Sequence, residues 1–296
     1  MSSSLEQAAS PVLDTRRTGR SFVVLRRLLK ARMAPLGLVI CALVMLCAIF
    51  APLLAPYDPA KTDILNALQS PSRSHWLGTD DLGRDILSRV IYGARVSLLV
   101  GIVAVGAALA IGTAIGISAG YFGGRVDNVA MRLMDSILAF PALVLAIAVA
   151  TVVGAGISAP MFAIAVVYIP TFARVARGQV LVTKEQEFVL AAHTVGTKHT
   201  RIMVRHILPN IAAPLIVQTS LSVAFAILAE ASLSFLGLGV SPPAASWGRM
   251  VSEGRQYLQD APWLVFGPGA AIFMTVMGLN FVGDALRDAL DPRLRM

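Results

Sequence analysis

Side chains from which a metal site or a hydrolytic centre is built are scarce in this chain. Its 296 residues hold four histidines, two cysteines and 17 carboxylates. His75, His193, His199 and His206 form no H-E-x-x-H, and no cysteine cluster accompanies them. Gly196-Thr197-Lys198 lacks the upstream glycine of a phosphate-binding loop. No nucleophile–base pair is evident. The expectation is therefore no catalytic residue, no metal site and no cofactor bound by this chain. His193, His199 and His206 are expected to help the segment they lie in touch a partner or phospholipid.

One carboxylate stands apart. Glu230 lies deep in an apolar segment, with Ser234 in the same run. A charge buried in lipid costs several kcal/mol, so an intramembrane acid is a functional candidate. Two readings stay open: a residue facing a translocation cavity, or an inward residue hydrogen-bonded to a neighbouring helix or subunit. A second charged group is Asp80, Asp81, Arg84, Asp85 and Arg89. Helical spacing would set Asp81 by Asp85 and Asp85 by Arg89, as on a locally satisfied surface helix.

The elements that must position these groups follow from composition. Hydrophobic residues make up 56% of the chain, charged residues 14%, and mean hydropathy is +0.72. That balance points to an all-α integral membrane protein. The net charge of +8 is no sign of nucleic acid, because the basic residues cluster beside apolar segments. Six spans are expected: residues 33–56, Ser97–Ala119, Met131–Val153, Pro160–Phe172 with its flanks, Ile211–Leu236 and Leu264–Val282. Segment 33–56 is too long for the apolar core of a signal peptide.

Six crossings place both termini on one side. With the N-terminus inside, eighteen of the 25 Lys and Arg residues face the cytoplasm and seven face out. The expected organisation is a cytoplasmic tail over 1–32, a first helix over 33–56 and an extracytoplasmic segment over 57–96. The membrane core over 97–283 contains a cytoplasmic loop, 177–210, and an extracytoplasmic segment, 237–263. A cytoplasmic tail covers 284–296. Gly112, Gly116 and Gly120 form a small-residue ridge suited to close helix packing, and Gly120–Gly124 makes a tight turn. Cys41 and Cys47 sit on one helix and cannot pair. Pro141, Pro170 and Pro214 are expected to be kinks or boundaries.

The remaining stretch, Glu187–Pro209, is basic and lies between two apolar segments. Phe188, Ala191, Ala192 and Val195 recur at i, i+3, i+4 and i+7, giving one apolar, mostly small face. Gly196 stands where a left-handed C-cap is expected, and a second helical stretch runs on to the Leu208-Pro209 boundary. This is a plug for a socket on another protein, or else an amphipathic helix on lipid headgroups.

The segment resembles the cytoplasmic coupling loop of ABC-importer permeases, through Ala191-Ala192, Gly196 and Ile207-Leu208-Pro209. Leu190 replaces the glutamate that opens the family pattern, although Glu187 lies nearly one turn earlier. The run from Trp76 through Gly78-Thr79-Asp80, Gly83-Arg84-Asp85, Ser88-Arg89 and Gly93-Ala94-Arg95 narrows the resemblance. So do Ala229–Val240 and Leu286–Arg295. Together they resemble the C-type permease subunit of dipeptide and oligopeptide importers, whose relatives also carry glutathione or nickel complexes.

The resemblance implies a type I ABC-importer permease fold in a bacterial or archaeal cell membrane. It also implies a heterodimer with a B-type permease, two ATPase subunits that bind ATP and Mg, and an external peptide-binding protein. Glu187, Phe188, Leu190, Ala191, Ala192, Val195 and Gly196 would then form the ATPase-coupling helix. Asp80, Asp81, Arg84, Asp85 and Arg89 could meet the binding protein, and Glu230 and Ser234 could lie on the translocation pathway. A rival of another class is a proton-coupled carrier using Glu230, which should show broken, repeat-like helices in each half.

Overall fold

The computed structural model describes residues 33–290. The expected tail over 1–32 and residues 291–296 lie outside it. The described chain is helical, with no strand, and a lone antiparallel bridge joins Thr79 to Asp85.

The first span is interrupted near its end. Helix α1 covers Ala34–Ile49 and a single turn, α2, covers Ala51–Leu54, with Pro52 near the start of that turn. Arg95 caps the break, donating from Nε to Ala48 O at 2.5 Å and from Nη2 to Ile49 O at 2.8 Å.

The helix that contains the expected second span, Ser97–Ala119, begins well before Ser97. Helix α3 runs over Ile86–Phe122, 37 residues, and its N-cap is Asp85, whose side chain accepts from Ser88 N. The charges of Arg89 and Arg95 suggest a loop by hydropathy alone, yet both side chains have partners. At about 1.5 Å per residue, α3 is about 55 Å long and overshoots a hydrocarbon core of about 30 Å.

The expected third span, Met131–Val153, is not one rod. Helix α4 covers Gly124–Leu138 and α5 covers Ala142–Val153, bent by 93°. Pro141 has no N–H to continue the ladder, and it steers the residue before it away from helix. Helix α6, Ser158–Thr183, continues through Pro170 and carries its basic end well past Phe172.

Helix α7 covers Glu187–Thr194 and α8 covers His199–Arg201. The expected stop at Leu208-Pro209 does not occur. A π turn over Ile202–Ile207 joins α8 to α9, Leu208–Phe235, with Pro209 in the first turn of α9. Helix α10 is Trp247–Gly254, and α11 is Trp263–Leu290, which reaches into the stretch expected to be tail from residue 284.

Four of these helices, with α8 and α9 counted together, are long and apolar enough to cross a membrane. The α4–α5 pair makes a fifth if it is one broken span, and α1 is a shorter apolar helix. Packing follows the glycine ridge. Cβ atoms added at Gly112, Gly116 and Gly120 would meet Phe172 Cβ at 2.7 Å, Ala176 Cβ at 2.8 Å and Val180 Cβ at 2.9 Å. Helix α3 therefore lies against α6 almost backbone to backbone, as the four-residue spacing predicts. Gly37 and Gly278 allow the same approach between α1 and α11.

Candidate functional site

Helix α7 is a short knob held by two side chains. Val189 and Ala192 turn inward, 0% and 7% exposed, into the cluster that contains Ile202 and Ile207. Phe188, Leu190, Ala191 and Val195 are exposed, Val195 to 79%. The expected apolar face is thus mostly an outward face. Ala192 is the exception, packing against its own chain.

Gly196 ends α7 at φ +72 with the two bonds of a Schellman cap. Thr197 N donates to Ala192 O at 3.1 Å and Gly196 N to His193 O at 2.9 Å. Exposed Glu187 sits in the first turn, where a negative charge favours the helix dipole.

The knob is fastened to the C-terminal end of α3, and α6 is tied there to α3 and α4. The Tyr121 hydroxyl lies 3.0 Å from His193 Nε2 and 2.7 Å from His199 Nδ1. Lys184 Nζ donates to Gly120 O at 3.1 Å, and Arg177 forms a bidentate pair with Asp127 at 2.5 and 2.6 Å. Sequence reasoning assigned Tyr121 only to a turn. Nothing in its local pattern reveals a contact 72 positions away.

At the opposite end, residues 80–85 form a turn rather than a helix, so the expected Asp81–Asp85 and Asp85–Arg89 pairs do not exist. Asp80 Oδ2 accepts from Arg84 Nε at 2.6 Å and lies 3.4 Å from Arg89 Nε. Glu253 Oε2 receives Arg84 Nη2 at 3.4 Å and Arg89 Nη2 at 3.2 Å, while its Oε1 takes Arg249 Nε at 2.6 Å. Asp85 meets His75 Nδ1 at 2.9 Å and also caps α3. Asp80, Arg84, Asp85 and Arg89 are buried and Asp81 is partly exposed. Glu253 and His75, distant in sequence, escaped the sequence reading. Burial, followed by the neighbouring Asp80 carboxylate, pushes the Asp81 carboxyl above its ordinary value, with Arg84 opposing.

Glu230 is 1% exposed. Its Oε2 accepts from Ser97 Oγ of α3 at 2.9 Å and its Oε1 from Ser234 Oγ at 2.7 Å. Ser234 is buried as well. This clip between α3 and α9 matches the inward, hydrogen-bonded reading of Glu230. Among the described residues, no group of three or more His, Cys, Asp or Glu is placed to hold a metal ion.

Stacked apolar helices, four or five of them long enough to cross a bilayer, mark a multi-pass membrane protein. The chain belongs to the family described as binding-protein-dependent transport system inner membrane component, whose profile matches residues 112–296. Residues 22–71 match the N-terminal transmembrane domain of oligopeptide transport permease C.

Among its relatives is the "Dipeptide transport system permease protein DppC" of Alkalihalophilus pseudofirmus, 48% identical over 91% of this chain and 89% of that one. The "Oligopeptide transport system permease protein OppC" of Bacillus subtilis is 46% identical over 89% and 87%. The "Glutathione transport system permease protein GsiD" of Escherichia coli O1:K1 is 44% identical over 91% and 89%. A chain of the inward-facing MetNI methionine ABC transporter aligns with TM-score 0.56 and 16% identity, covering 70% of this chain and 98% of that one, a likeness of fold. The permease therefore sits in a membrane of the bacterial inner-membrane type, as a component of a transport system.

Proposed function

We propose that this chain is one of two permease subunits of an ATP-driven importer for di- and oligopeptides. It pairs with a B-type permease and rests on two ATPase subunits, which bind ATP and Mg and perform the hydrolysis. A peptide-binding protein delivers cargo from outside. Six spans follow if α1–α2, α3, α4–α5, α6, α8–α9 and α11 each cross once, with both termini in the cytoplasm.

The observation that supports this reading most is the outward presentation of Phe188, Leu190, Ala191 and Val195 on a helix clamped from behind by Val189 and Ala192. An apolar knob with a rigid back suits transmission of force from a soluble motor to packed helices. Peptide cargo is supported by relatives named for dipeptide, oligopeptide and D,D-dipeptide transport. Glutathione, itself a small peptide, is favoured as a second cargo by the relative named for it.

Asp81 and the exposed Trp76 would present the buried Asp80, Arg84, Asp85 and Arg89 block to the delivery protein. Glu230 and Ser234 would join the pathway as a joint between α3 and α9 that alternation opens. A proton-relay carrier is disfavoured by the match to a family described as binding-protein-dependent transport components.

Purification of the chain with its neighbours tests the docking. Two ATPase chains should be recovered per permease pair, and Ala191→Glu or Val195→Glu should release them. These positions are better probes than Ala192, whose replacement would disturb its own packing. Full recovery together with undiminished ATP-driven peptide uptake in both variants would remove the coupling assignment.

A further inference from the structure

We infer that Tyr121 is a positioning residue for the coupling step: its hydroxyl ties the two sides of the Gly196 turn, the C-terminal end of the α7 knob and the start of α8, to the inner end of α3, so that knob and helix move as one body. The inference rests on the reading of α7 as the ATPase-docking element.

His193 lies in the last turn of α7, and His199 opens α8 on the far side of the Gly196 turn. Tyr121 reaches Nε2 of the first and Nδ1 of the second. A phenol has one O–H, so it donates to one imidazole nitrogen and accepts an N–H from the other. Two bonds from one oxygen fix where the turn sits and how α7 is rotated. The burial of Val189 and Ala192 seats the back of α7, and the two bonds add directional contacts at its C-terminal end. Ring contacts reinforce the bonds. Tyr121 and His193 stack with centroids 5.9 Å apart and planes 11° from parallel, and Phe122 meets His199 edge-on at 6.0 Å.

The other end of the same rod explains what the strut would deliver. Tyr121 is the penultimate residue of α3, whose outer turns carry Ser88, Arg89 and Ser97. Those residues engage Asp85, Glu253 and Glu230. Displacement of the knob would thus reach the outer ion network through a single helix. Lys184 holds the end of α6 to Gly120, one residue from the strut, so α6 shares the load. Packing along the glycine ridge leaves α3 and α6 little freedom to slip past each other.

The test uses the complex purified with its permease and ATPase neighbours in nanodiscs, with Cys41→Ala and Cys47→Ala. Spin labels go at Lys198 on the knob and Leu99 on α3, both exposed. The distance between them is measured with and without ATP and vanadate. The unsubstituted strut should keep this distance fixed. Tyr121→Phe and His199→Phe should each let ATP shift or broaden it. Uptake of a short-peptide mixture per ATP hydrolysed should fall by about five-fold or more in each. The double variant should be no worse than Tyr121→Phe alone, because that change already removes both bonds, including the one that His199→Phe removes. A Tyr121→Phe complex with the parent distance and uptake ratio, or losses that add in the double variant, would overturn the inference. Failure of the docking reading is seen separately, as ATPase chains that stay bound after Ala191→Glu and Val195→Glu.

Discussion

The Arg89 guanidinium, 1% exposed, lies 3.2 Å from Glu253 Oε2 although the two residues are 164 positions apart. This contact joins the first turn of α3 to α10, and it closes a network in which Arg84 and Arg89 share Asp80 and Glu253. With Arg249 on Glu253 and Asp81 beside Arg84, three cations are balanced by three carboxylates in a place where an uncompensated charge is costly. The block that reads in sequence as a charged surface is an internal fastening between the 80–85 turn, α3 and α10.

Removing one partner should therefore destabilise the permease. Asp80→Asn leaves two buried guanidinium groups with less compensation, at about 3 kcal/mol or more. Glu253→Gln should cost less, because water reaches part of that side chain, which is 27% exposed. Thermal midpoints in detergent should fall in both variants, Asp80→Asn further. Midpoints equal to the parent's would mean that the network contributes nothing to the fold.

Close approach of α3 and α6 makes a second prediction. A side chain at Gly116 would meet Ala176 Cβ and the backbone around Ala173, neither of which can swing away. Gly116→Val should cost more than the ~1–3 kcal/mol of ordinary overpacking and sharply reduce the folded yield. Gly106→Val is the control, since a Cβ there meets nothing within 4 Å. Equal yields for the two would refute backbone-to-backbone packing.

Features set by local rules were legible in the sequence. The Gly112–Gly120 ridge and the Gly196 cap depend on spacing and on a single φ, and both appear as read. The apolar spans were found, but their ends were not. Hydropathy excluded Arg89 and Arg95 from α3 because the partners that offset their charges lie on other elements. The break at Pro141 was legible as a kink or boundary, but its 93° size was not, because a spacing argument carries no angle between α4 and α5. Partners such as Glu253, His75 and Tyr121 are brought in by tertiary packing, which a spacing argument cannot see. The outward face of α7 was legible as a period, whereas the inward turn of Ala192 needed the position of Ile202 and Ile207.

Asp81 carries a pH prediction. Its carboxyl is raised, first by burial and then by Asp80, so the folded chain holds this proton more tightly than the unfolded chain. The ionised form therefore weakens the fold near neutral pH, and that effect fades as pH falls through the raised value. Asp81→Asn should raise the thermal midpoint slightly at about pH 7, the gain kept small by solvent screening. The gain should shrink as the pH enters the carboxylate range. A difference that stays constant down to about pH 4 would assign the effect to something other than this charge.

Gly196 separates conformational strain from crowding. Its φ of +72 is disfavoured for residues with a Cβ, yet a Cβ there meets nothing within 4 Å. Gly196→Ala should thus cost only the left-handed penalty, about 1–2 kcal/mol. Gly196→Asn should cost less, because asparagine visits that region more readily. Because the two bonds of the Gly196 cap also place His199 beside Tyr121, the loss should appear first as local opening of the 186–199 segment. Hydrogen exchange at the amides of Gly196 and Thr197 reads it, and exchange should accelerate in the order Gly, Asn, Ala. Faster exchange in Gly196→Asn than in Gly196→Ala would show that the turn is not held by the left-handed conformation.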